Sequence, residues 1–375
     1  LDFDTIAEQF TFTRGSEATF VNAQGLIQST NTLTSNLVID EDSLPLTGWS
    51  RDGNVYTATN ASSNVILNYG TGFNFSIGDL VEVSYEVFDY VSGFIKIQLA
   101  GGGSASYTPA ESSNGVFTKI LTLIGNNTAA AIIHNNTSPT LKIRNLSIKK
   151  IITATNTPRL DYSTGSEAFL LEPQSTNLVA YSEDFSDSYW RKDKLTVTSN
   201  SVNSPSGEVN ASLIQETVYT SSIPSIDLSG SIYLTAGSYT FSFYVKRNNV
   251  RYLGINFGSG AERIRTNFDF DTLTFKAPIF NGTTTGSVSF DTLGDYYRIS
   301  VNADFPLTIS GDINITPLAT DTYPFYAFQD SDNRSFYLWG AQLEQNSYET
   351  SYIPTSGASA TRNQELCNNA TPVIN

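Results

Sequence analysis

Chemistry needs groups that move protons, hold metals or grip a ligand, so the charged, histidine and aromatic side chains come first. Carboxylates cluster at Asp40/Glu41/Asp42, Glu183/Asp184 and Asp269/Asp271. Asp269 and Asp271 alternate with Phe268 and Phe270, which would put both on one strand face, at a spacing a retaining glycosidase pair can use. The same segment, FDFDTLTF, reads as a strand running into a hairpin turn, where Asp caps backbone N–H groups, and that is the preferred reading. His134 is the only histidine, no cysteine is near it, and there is no Gly-x-Ser-x-Gly segment. These absences argue against a zinc site or a Ser-His-Asp triad. No residue is assigned a catalytic role, and the chain reads as non-enzymatic.

Ligand contact is a different question. Arg247, Arg251 and Tyr252 lie together, and Tyr323, Phe325, Tyr326 and Phe328 form an aromatic cluster. An Arg beside a Tyr combines hydrogen bonds to hydroxyls or carboxylates with ring stacking. Contact between subunits is the competing reading, since Tyr and Arg are enriched in interfaces generally. Trp49 and Trp190 could stack on sugar rings, but their recurrence at one distance from a shared opening motif points to packing. Trp339 reads as core.

That opening motif organises the chain. Asn36-Leu37-Val38 and Asn177-Leu178-Val179 are each followed by a tryptophan, Trp49 and Trp190, and then by Asp52 and Asp193, all at one offset of 141. Gly15-Ser16-Glu17-Ala18 returns as Gly165-Ser166-Glu167-Ala168 at an offset of 150. The sequence therefore predicts an all-β protein of two tandem antiparallel β-sandwiches, each preceded by a short hairpin. The expected boundaries are an N-terminal hairpin or attachment segment (1–34), a first sandwich (35–152), a linker hairpin (153–176), a larger second sandwich (177–353) and a tail (354–375). In GDLVEVSYEVF, Val81, Val83, Tyr85 and Val87 share a face, the alternation of a half-buried strand. TAGSYTFSFYV is its counterpart in the second copy, and LKIRNLSI and YLWGAQLE are the matching closing strands. An isolated hairpin is marginal in water, so the hairpins must pack on a neighbouring domain or another chain. The extra length of the second copy is expected in loops, where binding usually sits. The tail reads as a linker, a strand pairing with another subunit, or a disordered end.

Composition sets the background. Aromatic residues make up 12% and charged residues only 15%, with abundant Gly, Ser, Thr and Asn, as in all-β proteins with many turns. Thirty-six acidic residues against 21 basic give a net charge of −15, which repels phosphates and anionic lipid. No nucleic-acid partner and no membrane insertion are expected. A single cysteine forbids an intrachain disulfide. A start at Leu1, with no methionine in the sequence, suggests proteolytic maturation or a fragment of a longer product.

Several segments together carry a resemblance: SEAFLLEPQSTNLVAYSEDFSDSYW, TAGSYTFSFYVKR, FDFDTLTF, GDYYRISV, FYLWGAQLEQNSYETSYIPTSGASATR and, near the start, TFTRGSEATFVNAQGLI. They resemble carbohydrate-binding-module-like jelly-roll domains of tailed-phage structural proteins: tail fibres, tail spikes and head fibres. The resemblance covers about 150–375 closely and 10–27 well. It implies a β-sandwich on a virion surface, a homotrimer or other symmetric assembly with other virion proteins, and host-surface polysaccharide as target. On that reading Arg247, Arg251, Tyr252, Tyr323 and Tyr326 are the glycan-binding candidates. No cofactor is required, but sandwiches of this type often hold a structural Ca²⁺ between the opening loop and last strand. Glu183, Asp184 and Glu344 are the oxygen donors nearest those places, with capping or solvation as the alternative. A purely structural capsid decoration or adaptor protein is the alternative function, and a polysaccharide-degrading enzyme ranks below both.

Overall fold

A computed structural model describes residues 11–37, 47–67, 75–100, 104–126, 129–134, 137–228, 232–321 and 329–368. The chain forms two compact units. One is Asn31–Thr153. The other is built from the segments that flank it on both sides.

The described residues of Asn31–Thr153 are β-strands and turns. Eight strands follow in chain order: Val55–Ala58, Val65–Leu67, Leu80–Ser92, Lys96–Ala100, Ser106–Tyr107, Gly115–Thr122, Ala129–Ile133 and Thr140–Ile152. The first, eighth, third and sixth lie side by side in one sheet, and the second, seventh, fourth and fifth in the other. Trp49–Asp52 extends the first sheet. The two sheets meet over Val81, Val83, Tyr85 and Val87 from one, and Val65, Leu67, Ile97, Leu99 and Ile132 from the other, all buried. The period-two alternation of Leu80–Ser92 does this, sending every second side chain inward.

The second unit repeats the plan. The eight corresponding strands are Val209–Glu216, Ser225–Leu228, Gly237–Arg247, Tyr252–Ser259, Glu262–Asp269, Tyr296–Phe305, Ile313–Leu318 and Ser335–Glu344. They pair in the same order, first-eighth-third-sixth and second-seventh-fourth-fifth, which is the jelly-roll arrangement. Phe241, Phe243 and Phe305 from one sheet pack on Ile255, Phe257 and Phe268 from the other. Each buried Phe of this kind is worth roughly 1.5–3 kcal/mol. The extra length is only partly loop. Thr274–Phe275, Ile279–Asn281 and Thr285–Leu293 lie between the fifth and sixth strands and widen both sheets at their edges.

The repeated Asn-Leu has one job in both units. Asn177 Oδ1 accepts from the Leu343 N–H (3.0 Å) and its Nδ2 donates to the Ala341 carbonyl (3.1 Å). The next N–H, of Leu178, donates to the Leu343 carbonyl (2.8 Å). In the first unit Asn36 grips Ile148 N–H (2.9 Å) and the Leu146 carbonyl (3.2 Å), and Leu37 N–H donates to the Ile148 carbonyl (2.9 Å). Just upstream, each closing strand carries one residue in the left-handed region, Asn145 (φ 56°) and Gly340 (φ 63°), where its pairing with the third strand slips register. The bulge interrupts the ladder, and the asparagine amide takes up the freed backbone groups. Val38 lies outside the described residues.

The other sequence repeats align less well. Thr19–Val21 pairs with Ile27–Ser29, and Arg159–Asp161 with Ala168–Leu170. The turn glycines are Gly25 and Gly165, both at positive φ, each donating its N–H to a carbonyl three residues back, Asn22 and Tyr162 (2.9 Å in each). The equivalent of Gly165 is therefore Gly25, not Gly15, and the shared Gly-Ser-Glu-Ala is no structural repeat. Trp49 and Trp190 diverge too. Trp49 is half-buried within an edge strand of the first unit, whereas Trp190 is buried just before Arg191–Asp193, which joins the opposite sheet. Both indole N–H groups donate to carbonyls, of Ser63 (2.7 Å) and Tyr181 (2.8 Å), so both pack.

The outer face of the second unit's six-stranded sheet is covered by chain ends. Ile27 of the N-terminal hairpin packs with Tyr244, Tyr296, Trp339 and Tyr352. The tail pairs within its own chain: Ala360–Arg362 with Ser175–Asn177, and Leu366–Asn368 with Thr11–Thr13. A buried charge cluster ties these pieces together. Glu365 accepts from Arg14 Nη1 (2.6 Å) and from Arg159 Nε (2.8 Å) and Nη2 (2.5 Å). Glu172 takes the other side, with Arg159 Nη2 at 2.8 Å and Arg362 Nη1 at 2.9 Å. Burial alone would raise the Glu172 carboxyl, but Arg362, the Ser351 hydroxyl and Arg159 hold it below its usual value.

Two consequences are measurable by chemical denaturation. Asn177 is buried and Asn36 exposed, so Asn177→Ala should cost about 2–4 kcal/mol, while water replaces the lost bonds in Asn36→Ala and the cost stays under about 1 kcal/mol. Glu365→Ala removes the carboxylate bonded to buried Arg14 and leaves Arg159 with Glu172 alone, and should cost about 3–5 kcal/mol. Equal losses for the two asparagine variants, or a Glu365→Ala protein of unchanged stability, would contradict these assignments.

Candidate functional site

At one corner of the second unit, two loops bring Arg247, Arg251 and Tyr252 together, three of the five predicted ligand residues. Gly237–Arg247 ends at Arg247, and the chain turns through Asn248–Val250 into Tyr252–Ser259. This turn is pinned: Val250 is buried, Asn248 Nδ2 donates to Ser335 Oγ (2.9 Å), and Asn249 Oδ1 accepts from the Ser335 N–H (2.6 Å). Opposite, Glu262–Asp269 ends where Asp269 Oδ1 accepts from the Asp271 N–H (2.8 Å), the capping expected of FDFD. The strand stops at Asp269, so Asp271 belongs to the turn and not to a second strand position.

The side chains form a closed set. Arg247 Nη1 lies 2.5 Å from Asp271 Oδ1, Arg251 Nη2 3.1 Å from Asp269 Oδ2, and Arg251 Nε 2.9 Å from Asp271 Oδ2. The Arg251 guanidinium also sits over the Tyr252 ring, 4.8 Å from its centroid. Hydrogen bonding from Arg251 holds the Asp269 carboxyl below its ordinary value, and the same bonds raise Arg251 in turn. Two cations and two anions cancel. The corner thus presents carboxylate acceptors, guanidinium donors and a ring edge without net charge. A carboxylate held down in this way accepts hydrogen bonds and is poorly suited to donate a proton. Tyr323, Phe325, Tyr326 and Phe328 lie outside the described residues, as do Asp40, Glu41 and Asp42.

The carboxylates considered for calcium are not gathered. Glu183 accepts from Tyr352 Oη (2.8 Å) and Asn210 Nδ2 (3.0 Å). Asp184 caps Ser186, accepting from its N–H (3.1 Å) and Oγ (2.5 Å). Glu344 is buried and takes Ser175 Oγ (2.6 Å), Gln342 Nε2 (2.7 Å), the Thr350 N–H (3.0 Å) and the Thr350 hydroxyl. Among the described residues no three His, Cys, Asp or Glu side chains are placed to hold a metal ion. Hydroxyls, amides and backbone N–H groups hydrogen-bond to the oxygens of Glu183, Asp184 and Glu344. His134 follows Ala129–Ile133 as a buried strand-end residue, as its position suggested.

Two polar networks lie outside the residues singled out in the sequence analysis. On the seven-stranded sheet, buried Asp227 accepts from Arg191 Nε (2.9 Å) and from Asn314 Nδ2 (2.6 Å), and Asn314 Oδ1 accepts from Asn256 (2.8 Å). Under the loop preceding the closing strand, Glu216 accepts from Tyr219 Oη (2.5 Å), Arg334 Nε (3.0 Å) and the Arg334 N–H (3.1 Å). The members of the first sit one per strand, so only the register brings them together. Isolated polar residues in otherwise apolar strands, such as Asn256 and Asp227, were the available signal.

Glu183 supplies a pH test. It is half-buried with hydroxyl and amide partners, and desolvation raises its carboxyl, opposed by Tyr352 and Trp339. A raised folded value means its stabilising contribution is complete below the unfolded carboxylate range and is lost as pH rises through the folded value. Glu183→Gln should therefore remove the fall in stability between the unfolded carboxylate range and the folded value. Melting curves from pH 4 to pH 9 check it, and identical slopes for the two proteins would refute it.

The chain matches no protein-family model and no curated protein. Among solved structures, it is similar to the N-terminal CBM22-1-CBM22-2 tandem domain from Paenibacillus barcinonensis Xyn10C, with 14% identity over 84% of this chain and 98% of the other, and a TM-score of 0.25. It is also similar to a truncated AlyQ with CBM32 and alginate lyase domains, with 11% identity over 90% of this chain and 99% of the other, and a TM-score of 0.20. At these scores neither likeness says anything of a ligand; the all-β sandwich fold stands on the strand order itself.

Proposed function

We propose that this chain is a non-catalytic virion appendage protein of a tailed phage, of the tail-fibre or head-fibre type, displayed on the particle surface. Its second sandwich contacts host-surface glycan through the Arg247, Arg251 and Tyr252 corner, and several copies acting together offset weak single-site binding. The phage setting is supported by the sequence segments quoted above. The glycan reading is carried by one observation, the exposed and charge-balanced Arg247–Asp271–Arg251–Asp269 set beside the Tyr252 ring. Sugar hydroxyls both donate and accept, and such a set offers both partners beside a ring edge.

One observation favours the alternative of a structural decoration or adaptor protein. All four charges of the corner already satisfy one another, as they would if the corner only braced its two loops. Titration against host-surface polysaccharide separates the two. Under the glycan reading, Tyr252→Ala weakens binding by about tenfold or more, near 1.4 kcal/mol, with an unchanged melting temperature. Because the corner carries no net charge, affinity should change little between low and physiological salt. No binding by the unaltered protein, or equal binding by Tyr252→Ala, favours the structural reading.

A further inference from the structure

Among the described residues, ten that are not glycine have φ in the left-handed region: five Asn, two Ser, one Asp, one Lys and Leu273, at φ 53°. Asn and Asp enter that region at small cost, because their short polar side chains bond locally. Leucine has no such compensation, and a bulky residue held there is strained. Leu273 closes the loop between Glu262–Asp269 and Thr274–Phe275, its N–H donating to the Asp269 carbonyl (2.8 Å). That bond depends on the backbone angle and would be served better by Gly or Asn. The core does not account for the leucine either, since Leu273 is 37% exposed. Backbone strain that the fold does not require is found at sites of function. This loop also carries Asp269 and Asp271, the two carboxylates that hold Arg251 and Arg247.

We propose that Leu273 is a ligand contact of the Arg247, Arg251 and Tyr252 corner, and that the glycan recognised there carries a methyl group, as a 6-deoxy or acetylated sugar does. This rests on the glycan reading of that corner and names the class of sugar it takes. The loop sets one apolar side chain beside a group of hydrogen-bond donors and acceptors. Its neighbours Asp271, Thr272 and Thr274 are exposed and polar, so the apolar surface is a single side chain wide. A protein partner buries about 800 Å² on each side around an apolar centre, far more than one leucine supplies. A methyl group matches it in size. The roles then divide: the guanidinium and carboxylate groups take sugar hydroxyls, and Leu273 takes the one substituent that cannot hydrogen-bond. A hydroxyl in the methyl position would lose water there and gain no partner.

The test titrates host-surface polysaccharide into the full chain. Leu273→Asn relieves the backbone and removes the apolar group. It should therefore raise the melting temperature by about 2–4 °C and at the same time weaken binding about fivefold. Leu273→Met keeps an apolar side chain and should bind within about twofold of the unaltered protein. Mild alkaline O-deacetylation of the polysaccharide separates the two sources of the methyl group. Binding lost after that treatment places it on an acetyl ester, and binding retained places it on a ring carbon or an N-acetyl group. If Leu273→Asn binds as tightly as the unaltered protein while Tyr252→Ala still weakens binding, the proposal is overturned and the corner stands. A Leu273→Asn protein that melts lower also overturns it, because the leucine then serves the fold. No binding by the unaltered protein overturns both readings.

Discussion

Glu365 is the point on which the second unit closes. A carboxylate taken out of water costs several kcal/mol, and only well-placed cations recover it. Here two arginines come from opposite ends of the preceding sequence, Arg14 from the N-terminal segment and Arg159 from the linker hairpin, while Arg362 and Glu172 complete the set. Such a cluster is geometrically demanding, because each guanidinium also serves backbone: Arg14 Nε donates to the Ser16 carbonyl (2.8 Å), Arg159 Nη1 to Thr19 (2.5 Å) and Arg362 Nη2 to Pro173 (2.7 Å). An arrangement with so many fixed partners specifies one placement of three distant segments. Apolar contact at Ile27 and Tyr352 could tolerate slippage; the charge cluster cannot.

That constraint explains why the chain leaves the second unit and returns to it. The N-terminal hairpin precedes the first sandwich in sequence and yet belongs to the second unit. The first sandwich is in effect an insertion between Thr30 and Ala154. Both boundary regions lie beside the cluster: Thr30 Oγ1 accepts from Arg14 Nη2 (3.1 Å), and Asn156 N–H donates to the Arg14 carbonyl (2.9 Å). Insertions are tolerated where the flanking ends are held close together, and here the same arginine holds both.

How much was legible in advance follows from range. Strand identity is local and was readable: Leu80–Ser92 and Gly237–Arg247 show their period and their glycine starts in the bare sequence. The Asn36 and Asn177 clasps were visible as a repeat because a duplicated fold needs the same side chain at the same bulge. Their purpose was not, since the partners, Ile148 and Leu343, lie more than a hundred residues away. Short identical strings misled where composition alone could produce them. Gly-Ser-Glu-Ala is common currency in a chain rich in small and polar residues, whereas the functional equivalence of Gly25 and Gly165 lies in a backbone angle. The charge cluster was illegible altogether: Arg14, Arg159 and Arg362 sit in unremarkable polar contexts, and only the register of three short ladders assembles them.

The same reasoning separates the surfaces that serve the fold from those free to serve a partner. Glu183, Glu344, Asp227 and Glu216 each hold several donors, so a ligand at any of them would unmake an existing bond. The corner at Arg251 differs, because its ion pairs are solvent-exposed and individually worth at most about 1 kcal/mol. Exchanging one of those hydrogen bonds for a sugar hydroxyl costs little, and the loops remain held by Asn248, Asn249 and Val250, which take no part in the exchange. A rigid frame with weakly committed charges at its rim is the physical condition for binding without rearrangement, and in the described part of the second unit that corner meets it.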